Sequence, residues 1–143
     1  MIPRDDFRFH HLGVAVADLQ AAVPIYGALF GYDCTSGPFD DPIQKVSVCF
    51  LSRGAGDMTL ELVAPLGDDS PVRATLKKGA SAYHMCYEVP DIDAAIAHLS
   101  ENECLTVSAP VPAVAFDQRR IAWLLTPSFQ LIELIEGERR PDR

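Results

Sequence analysis

The chain has 143 residues, of which 48% are hydrophobic, and this size and composition predict one globular domain rather than a disordered segment. Its net charge of −8 argues against nucleic acid or an anionic membrane as the main partner. Every apolar run is too short to cross a bilayer and the N-terminus lacks the apolar core of a secretory signal, so a cytoplasmic location is expected.

The first half of the chain predicts a strand, a helix and further strands. Residues 9–16 are rich in β-forming side chains and lead to Asp18, which can cap the N-terminus of a helix. Pro24 lies inside that helix and should bend its axis. The helix itself is predicted from apolar residues at helical spacing, namely Leu19, Ala22, Val23, Tyr26, Leu29 and Phe30.

The segment between the halves predicts a short connecting helix. Ser70 is a favourable N-cap, Pro71 suits the first helical position, and Gly79 suits the position just after the last turn. We therefore expect a linker helix within residues 67–80 of a single domain over residues 1–143. It joins a first module at 7–66 to a second at 81–137.

The second half repeats the first at an offset of 73 residues, which is the separation of His11 and His84. A His, a Val, an Asp and an Ala-Ala pair coincide when residues 11–23 are aligned with residues 84–96. Agreement of this kind is difficult to obtain by chance. It indicates two copies of one structural unit.

The repeat continues into the later strands of each half. The same offset aligns residues 48–51 with residues 121–124, and an offset of 72 aligns Glu61 with Glu133. Each half is therefore predicted to contain a strand with a His, a helix, an irregular stretch, an apolar strand and a strand with a Glu. This order defines an α+β fold of two tandem βαβββ modules.

The repeated His and Glu residues predict a metal site. A lone strand His is more often structural, but Glu61 and Glu133 each interrupt an apolar strand, where an uncompensated carboxylate is costly. Their repetition, each with an equivalent His, favours one divalent cation held by His11, Glu61, His84 and Glu133. This ligand set suits Co, Mn, Ni, Fe or Zn, and it leaves positions where a substrate carbonyl could be polarised.

The remaining histidines and the cysteines are given no such role. His10 should point to the opposite face of its strand and has no counterpart in the repeat, and His98 is expected to be exposed on the second helix. Four cysteines lack the CxxC spacing of a zinc cluster and predict free thiols, two of them buried in strands.

These motifs resemble the vicinal-oxygen-chelate superfamily, also called the glyoxalase/bleomycin-resistance/dioxygenase superfamily, and are most similar to its methylmalonyl-CoA epimerases. The resemblance covers Phe9 to Glu136 and rests on HHLGVAVADL, TLELVAPLGDDSPV, YHMCYEVPDIDAAI and LIELIE. It implies a cupped mixed sheet around a metal, a homodimer, and ligands at His11, Glu61, His84 and Glu133. It also implies an acyl-CoA thioester as the substrate class.

The sequence departs from the epimerase pattern at three places. Tyr83-His84 replaces the usual pair of histidines, and AFDQRRIAWLLTP replaces a glycine-rich loop. The family often places a Glu, thought to act as one of two opposed bases, where this chain has Val48, although the nearby Gln44 matches. A second base is therefore not evident, which leaves room for a one-base isomerisation or a lyase reaction.

The leading hypothesis is a divalent-metal-dependent epimerase or isomerase that transfers the α-proton next to a polarised carbonyl. Glu133 is the candidate ligand and proton shuttle, and Glu61 is its pseudo-symmetric counterpart. Gln44, Arg119 and Arg120 are candidate substrate contacts, because the two arginines directly precede a core strand.

Two other functions remain open. Two His and two Glu ligands also resemble glyoxalase I, which implies a lyase acting on a hemithioacetal or a related carbonyl compound. Some superfamily members only bind and sequester a ligand, although they usually lack the full set of metal ligands. A metal analysis would separate the sequestering protein from the two enzymes.

Overall fold

The computed structural model describes residues 6–137, which form two compact units. One unit spans His11–Tyr83, and the other combines the described residues through His10 with those from His84 onward. The N-terminal segment, for which no secretory signal is expected, lies partly outside the described residues. Within residues 6–137, no helix has both the length and the apolar character that a membrane span requires.

The first module has four strands and one helix. They are β1 (Arg8–Ala15), α1 (Leu19–Phe30), β2 (Asp33–Asp41), β3 (Val46–Ser52) and β4 (Leu60–Pro65). The strand order is β2-β3-β4-β1, in which β1 and β4 are parallel and the other pairs are antiparallel. The connecting helix α2 (Val72–Lys77) follows.

The second module has the same elements in the same sequence. They are β5 (Ala82–Val89), α3 (Ile92–Glu101), β6 (Leu105–Pro112), β7 (Arg120–Leu125) and β8 (Leu131–Glu136), with a 3₁₀ turn at Val114–Phe116. The strand order is β5-β8-β7-β6, again with one parallel pair, β5 and β8. The predicted α+β class and the two βαβββ modules are confirmed.

The helix starts agree with the sequence in both modules. Asp18 accepts a hydrogen bond from the backbone N–H of Gln20 at 2.8 Å, and Asp91 accepts one from Ala94 at 3.0 Å. Each carboxylate satisfies an otherwise unpaired donor in the first turn of its helix. Helix α1 runs through Pro24 without a break.

The C-terminal part of α1 departs from the expected apolar stripe. Leu19 and Ala22 are buried, but Leu29 is 66% exposed and Phe30 is 54% exposed. Helical spacing determines which residues share a face, whereas burial also requires a neighbouring element under that face. The predicted helix is therefore confirmed, although only part of its apolar face is buried.

The linker helix exists, but its N-terminus is capped differently from the prediction. Pro71 occupies the N-cap position, and the buried Ser70 hydroxyl has no hydrogen-bond partner within residues 6–137. The helix therefore starts one residue later than predicted. Gly79 follows the helix with φ +76°, and its N–H donates to the Leu76 carbonyl at 3.0 Å.

Alternation along the strands separates the apolar core from the acidic side chains. Leu60 and Leu62 of β4 pack in a core that also contains Leu19 and Ala22 of α1. Residues Ile132 and Leu134 of β8 pack in an equivalent core with Ile92 and Ala95 of α3. The intervening glutamates therefore point to the face of each sheet opposite its helix.

We expect the substitution Gly37→Ala to destabilise the protein by about 3 kcal/mol, because it combines backbone strain with a clash. Gly37 has φ +99°, and a Cβ atom there would lie 2.7 Å from the carbonyl oxygen of Val48 on β3. Urea titration of both proteins measures the free energy of unfolding. Gly56, with φ +84° and open space around its Cβ position, is the control, and Gly56→Ala should cost only about 1 kcal/mol. Equal costs would contradict the clash.

Candidate metal centre

The first unit holds one buried His–Glu pair. β1 and β4 are parallel neighbours in a register that places Gly13 opposite Glu61. The Nε2 atom of His11 lies 3.5 Å from Oε1 of Glu61. The exposed fraction is 0% for His11 and 5% for Glu61.

The second unit holds an equivalent pair. β5 and β8 are parallel neighbours, and Cys86 lies opposite Glu133, so the residue two positions after the His again faces the Glu. The Nε2 atom of His84 lies 3.4 Å from Oε1 of Glu133, with 3% and 2% of the two residues exposed. The repeat detected in the sequence is therefore also a repeat of register and of side-chain geometry.

The geometry within each pair fits two ligands of one cation. Ligand atoms at bond lengths of about 2.0–2.2 Å and at octahedral or tetrahedral angles are roughly 2.8–3.6 Å apart. The two observed N–O distances, 3.5 and 3.4 Å, lie at the upper end of that range. Imidazole nitrogen and carboxylate oxygen are also the donors that divalent first-row metals prefer in proteins.

An aromatic ring supports each imidazole, and the sequence interpretation missed both. Phe50 lies opposite Glu61 on β3, and its ring packs edge-on against His11 with centroids 5.6 Å apart. Trp123 lies opposite Glu133 on β7 and packs edge-on against His84 at 4.8 Å. These contacts limit rotation of the imidazoles. The aligned segments 48–51 and 121–124 already contained the signal, since Phe50 and Trp123 coincide there.

Val48 occupies the position at which the resemblance implies a second base, and it lies on the same face of β3 as Phe50. Val48 precedes Phe50 by two residues and is only 4% exposed. Its side chain cannot accept or donate a proton. A proton-transfer role for Glu61 and Glu133 stays a prediction.

Arg119, a candidate substrate contact, is bound to groups of its own unit. Its guanidinium donates to the Glu88 carboxylate at 3.1 Å and to the Phe116 carbonyl at 3.2 Å. Burial tends to raise the pKa of Glu88, but the hydrogen bonds and charges of Arg119 and of Arg8 lower it overall. Any substrate anion would compete with Glu88 for this guanidinium.

Arg120 and Gln44 also have partners within the protein. Arg120 donates to Glu136 at 2.8 Å and to Asp93 at 3.1 Å, and these hydrogen bonds raise its pKa above the ordinary value. Gln44 lies in the turn between β2 and β3, where its backbone N–H donates to Asp41 at 3.0 Å. A role in substrate binding stays a prediction for both residues.

The residues left out of the metal site have other contacts. The ring of His10 packs edge-on against Phe116 with centroids 5.6 Å apart. His98 is half-buried rather than exposed, because its ring lies 5.8 Å from that of Phe7. The burial of two strand cysteines is confirmed by Cys49 on β3 and Cys86 on β5.

Residues 10–123 match the family described as the Glyoxalase/Bleomycin resistance protein/Dioxygenase superfamily, and the chain belongs to this superfamily. It is 32% identical over 131 residues to ethylmalonyl-CoA/methylmalonyl-CoA epimerase of Cereibacter sphaeroides, which covers 89% of this chain and 96% of the relative. The chain is thus similar to epimerases, and it is an enzyme of epimerase-like function within the superfamily.

Solved structures support the same fold. Methylmalonyl-CoA epimerase from Mycobacterium tuberculosis superposes with a TM-score of 0.80 at 24% identity, over 99% of this chain and 94% of that one. A variant of the Streptomyces coelicolor methylmalonyl-CoA epimerase, in complex with 2-nitronate-propionyl-CoA, has a TM-score of 0.75 at 26% identity, over 92% and 97% of the two chains. The glyoxalase-like fold that the sequence predicts is confirmed.

Proposed function

We propose that the protein is a divalent-metal-dependent epimerase that moves the α-proton of an acyl-CoA thioester. His11, Glu61, His84 and Glu133 would hold one cation, which is Co, Mn, Ni, Fe or Zn. The observation that carries the proposal is the equivalent register and N–O distance of the two buried His–Glu pairs. The names of the relatives support the substrate class.

The burial of the four side chains supports a shared cation. Two carboxylates that are each about 5% exposed or less would be costly in a low-dielectric interior without a compensating charge. One divalent cation balances the charge of both carboxylates at once. A cation also accounts for the presence of both pairs at equivalent positions of the repeat.

The cation, when bound, would polarise the thioester carbonyl and stabilise the negative charge that develops on its oxygen. The Glu133 carboxylate would take the proton from the α-carbon as the C–H electron pair moves toward the carbonyl. Return of a proton to the opposite face of the α-carbon inverts its configuration. Glu61 is the candidate for that second transfer, since the side chain of Val48 cannot provide it.

The surrounding residues would orient the substrate and limit the access of water. Phe50 and Trp123 restrict the two imidazoles and present apolar rings beside them. Arg119, Arg120 and Gln44 are the proposed contacts to the anionic and polar groups of the substrate. A homodimer in the cytoplasm completes the proposal, and the exposed apolar residues of α1, namely Ile25, Leu29 and Phe30, are consistent with a protein interface.

Proton exchange tests the proposed reaction directly. Protein purified without a His-tag is loaded with Co²⁺ and mixed with methylmalonyl-CoA in D₂O, and the α-proton is followed by NMR. We expect the α-proton signal to disappear in the metal-loaded sample and to persist after chelation. If no acyl-CoA thioester exchanges its α-proton in protein that retains the metal, the substrate assignment is wrong.

A glyoxalase I-like lyase is the second candidate, and the presence of Glu at position 61 favours it because glyoxalase I enzymes resemble this two-His, two-Glu set. The same metal-loaded protein is tested with methylglyoxal and glutathione. Isomerisation of the hemithioacetal without thioester exchange would establish the lyase instead. A protein that binds no metal would favour the sequestering function.

A further inference from the structure

Two cysteines lie side by side on neighbouring strands of the first unit. Cys34 is on β2 and lies opposite Leu51 of β3, and Cys49 precedes Leu51 by two residues on the same strand. Side chains two positions apart on a strand share a face, so Cys34 and Cys49 are diagonal neighbours on one face of the sheet. Irregularities in the β2–β3 register follow Cys34 and Ser36, where β2 bends against β3.

Several contacts bring the two sulfur atoms together. Burial, the charge of the adjacent Cys34 thiol and a side-chain hydrogen bond with it together raise the pKa of the Cys49 thiol to about 11. Strand β2 also passes close to the Cys49 sulfur. A Cβ atom at Gly37 of β2 would lie 3.5 Å from the Sγ atom of Cys49. Cys34 is exposed to solvent, whereas Cys49 is 3% exposed.

We propose that Cys34 and Cys49 are a reactive dithiol that closes into an intramolecular disulfide when the protein meets a low-molecular-weight disulfide such as oxidised glutathione. The bond would tie β2 to β3. The hydrogen bond between the two thiols places their sulfur atoms next to each other, and closure of the disulfide also requires the Cβ atoms to come to about 3.5–4.5 Å from one another. Cys49 directly precedes Phe50, so the crosslink would lie one residue from the ring that supports His11.

The exposed thiol is the one that a soluble disulfide can reach. The Cys34 thiolate attacks one sulfur of oxidised glutathione, breaks its S–S bond and releases one glutathione thiolate. Cys49 then loses its proton and attacks the Cys34 sulfur, which displaces the second glutathione thiolate. Two cysteine thiols are oxidised, one glutathione disulfide is reduced to two glutathiones, and the two protons pass to the released thiolates.

The test is oxidation of the fully reduced full-length chain with oxidised glutathione, followed by alkylation of the remaining thiols and mass spectrometry. We expect a product with two alkyl groups where the reduced chain carries four, and with a peptide that links Cys34 to Cys49. Because the crosslink restricts the unfolded chain, the oxidised protein should also melt roughly 5–10 °C higher, and dithiothreitol should reverse this shift.

Variants separate the proposed pair from other thiol reactions. Cys34→Ser lies on the surface and should abolish the crosslink without loss of the fold. Cys104→Ser is the matched control, and it should leave the crosslink intact. Cys49→Ala should stop the reaction at a stable glutathione adduct of Cys34. A persistent glutathione adduct in the unmodified protein, a disulfide between two chains, or a linked peptide containing Cys86 or Cys104 would overturn the proposal.

Discussion

The variant Glu133→Gln is expected to lower the rate of α-proton exchange by about 10²–10⁴-fold, because an amide cannot accept the proton that the carboxylate takes. Glutamine keeps the size of the side chain and an oxygen that can still face the cation. The loss should therefore appear mainly in kcat, with a smaller effect on metal affinity. The rate is measured by the disappearance of the α-proton signal in D₂O, at a metal concentration that saturates the variant.

Two further variants make the prediction specific. Glu101→Gln removes an exposed carboxylate on α3 and should leave the exchange rate unchanged. Glu61→Gln distinguishes the two proposed proton-transfer groups, since loss of the second transfer should slow inversion more than it slows exchange with solvent. A Glu133→Gln variant with a normal exchange rate and bound metal would exclude Glu133 as the proton-transfer group.

The variant His11→Ala is expected to weaken divalent-metal binding by at least about 100-fold, since loss of a direct ligand should exceed the 10–100-fold effect of residues that only orient ligands. Trp123, the one tryptophan of the chain, packs 4.8 Å from His84 and can report binding by fluorescence quenching with Co²⁺ or Ni²⁺. Calorimetry should give one ion per chain.

This experiment also tests whether the two His–Glu pairs share one cation. If each pair binds its own ion, His11→Ala will leave the quenching of Trp123 unchanged and the original protein will bind two ions. His98→Ala changes a histidine that packs against Phe7 and should bind metal normally. Thermal melts of both metal-free variants check that a weaker signal does not result from unfolding, and Glu61→Gln provides a second variant of the same pair.

The features that the sequence predicted correctly depend on local rules or on the repeat. Asp18 and Asp91 cap the two long helices because the short carboxylate side chain of an Asp just before a helix can accept a hydrogen bond from an N–H of the first turn. Glu61 and Glu133 lie on the face opposite the helix because strand side chains alternate strictly, and their apolar neighbours in the sequence mark the core face. Aligning the two halves then paired each His with the correct Glu, since equivalent modules use an equivalent register.

The features that the sequence did not predict depend on which elements become neighbours. The sequence predicts Arg119 and Arg120 as substrate contacts but gives no sign of the carboxylates of Glu88, Asp93 and Glu136, which come from other elements and bind them. His98 was expected to be exposed, but Phe7, which is distant in sequence, covers it. Such contacts between distant residues leave no period or spacing in the chain.

The amino-acid sequence by itself determined the two-module architecture, the strand faces and the four candidate ligands, because periodicity and internal duplication are properties of the chain. Only the tertiary structure decided that Phe50 and Trp123 support the imidazoles, that Val48 is buried on the same strand face as Phe50, and that Cys34 meets Cys49. Those relations are created by strand pairing, register and bulges, which bring together side chains whose separation along the chain carries no signal.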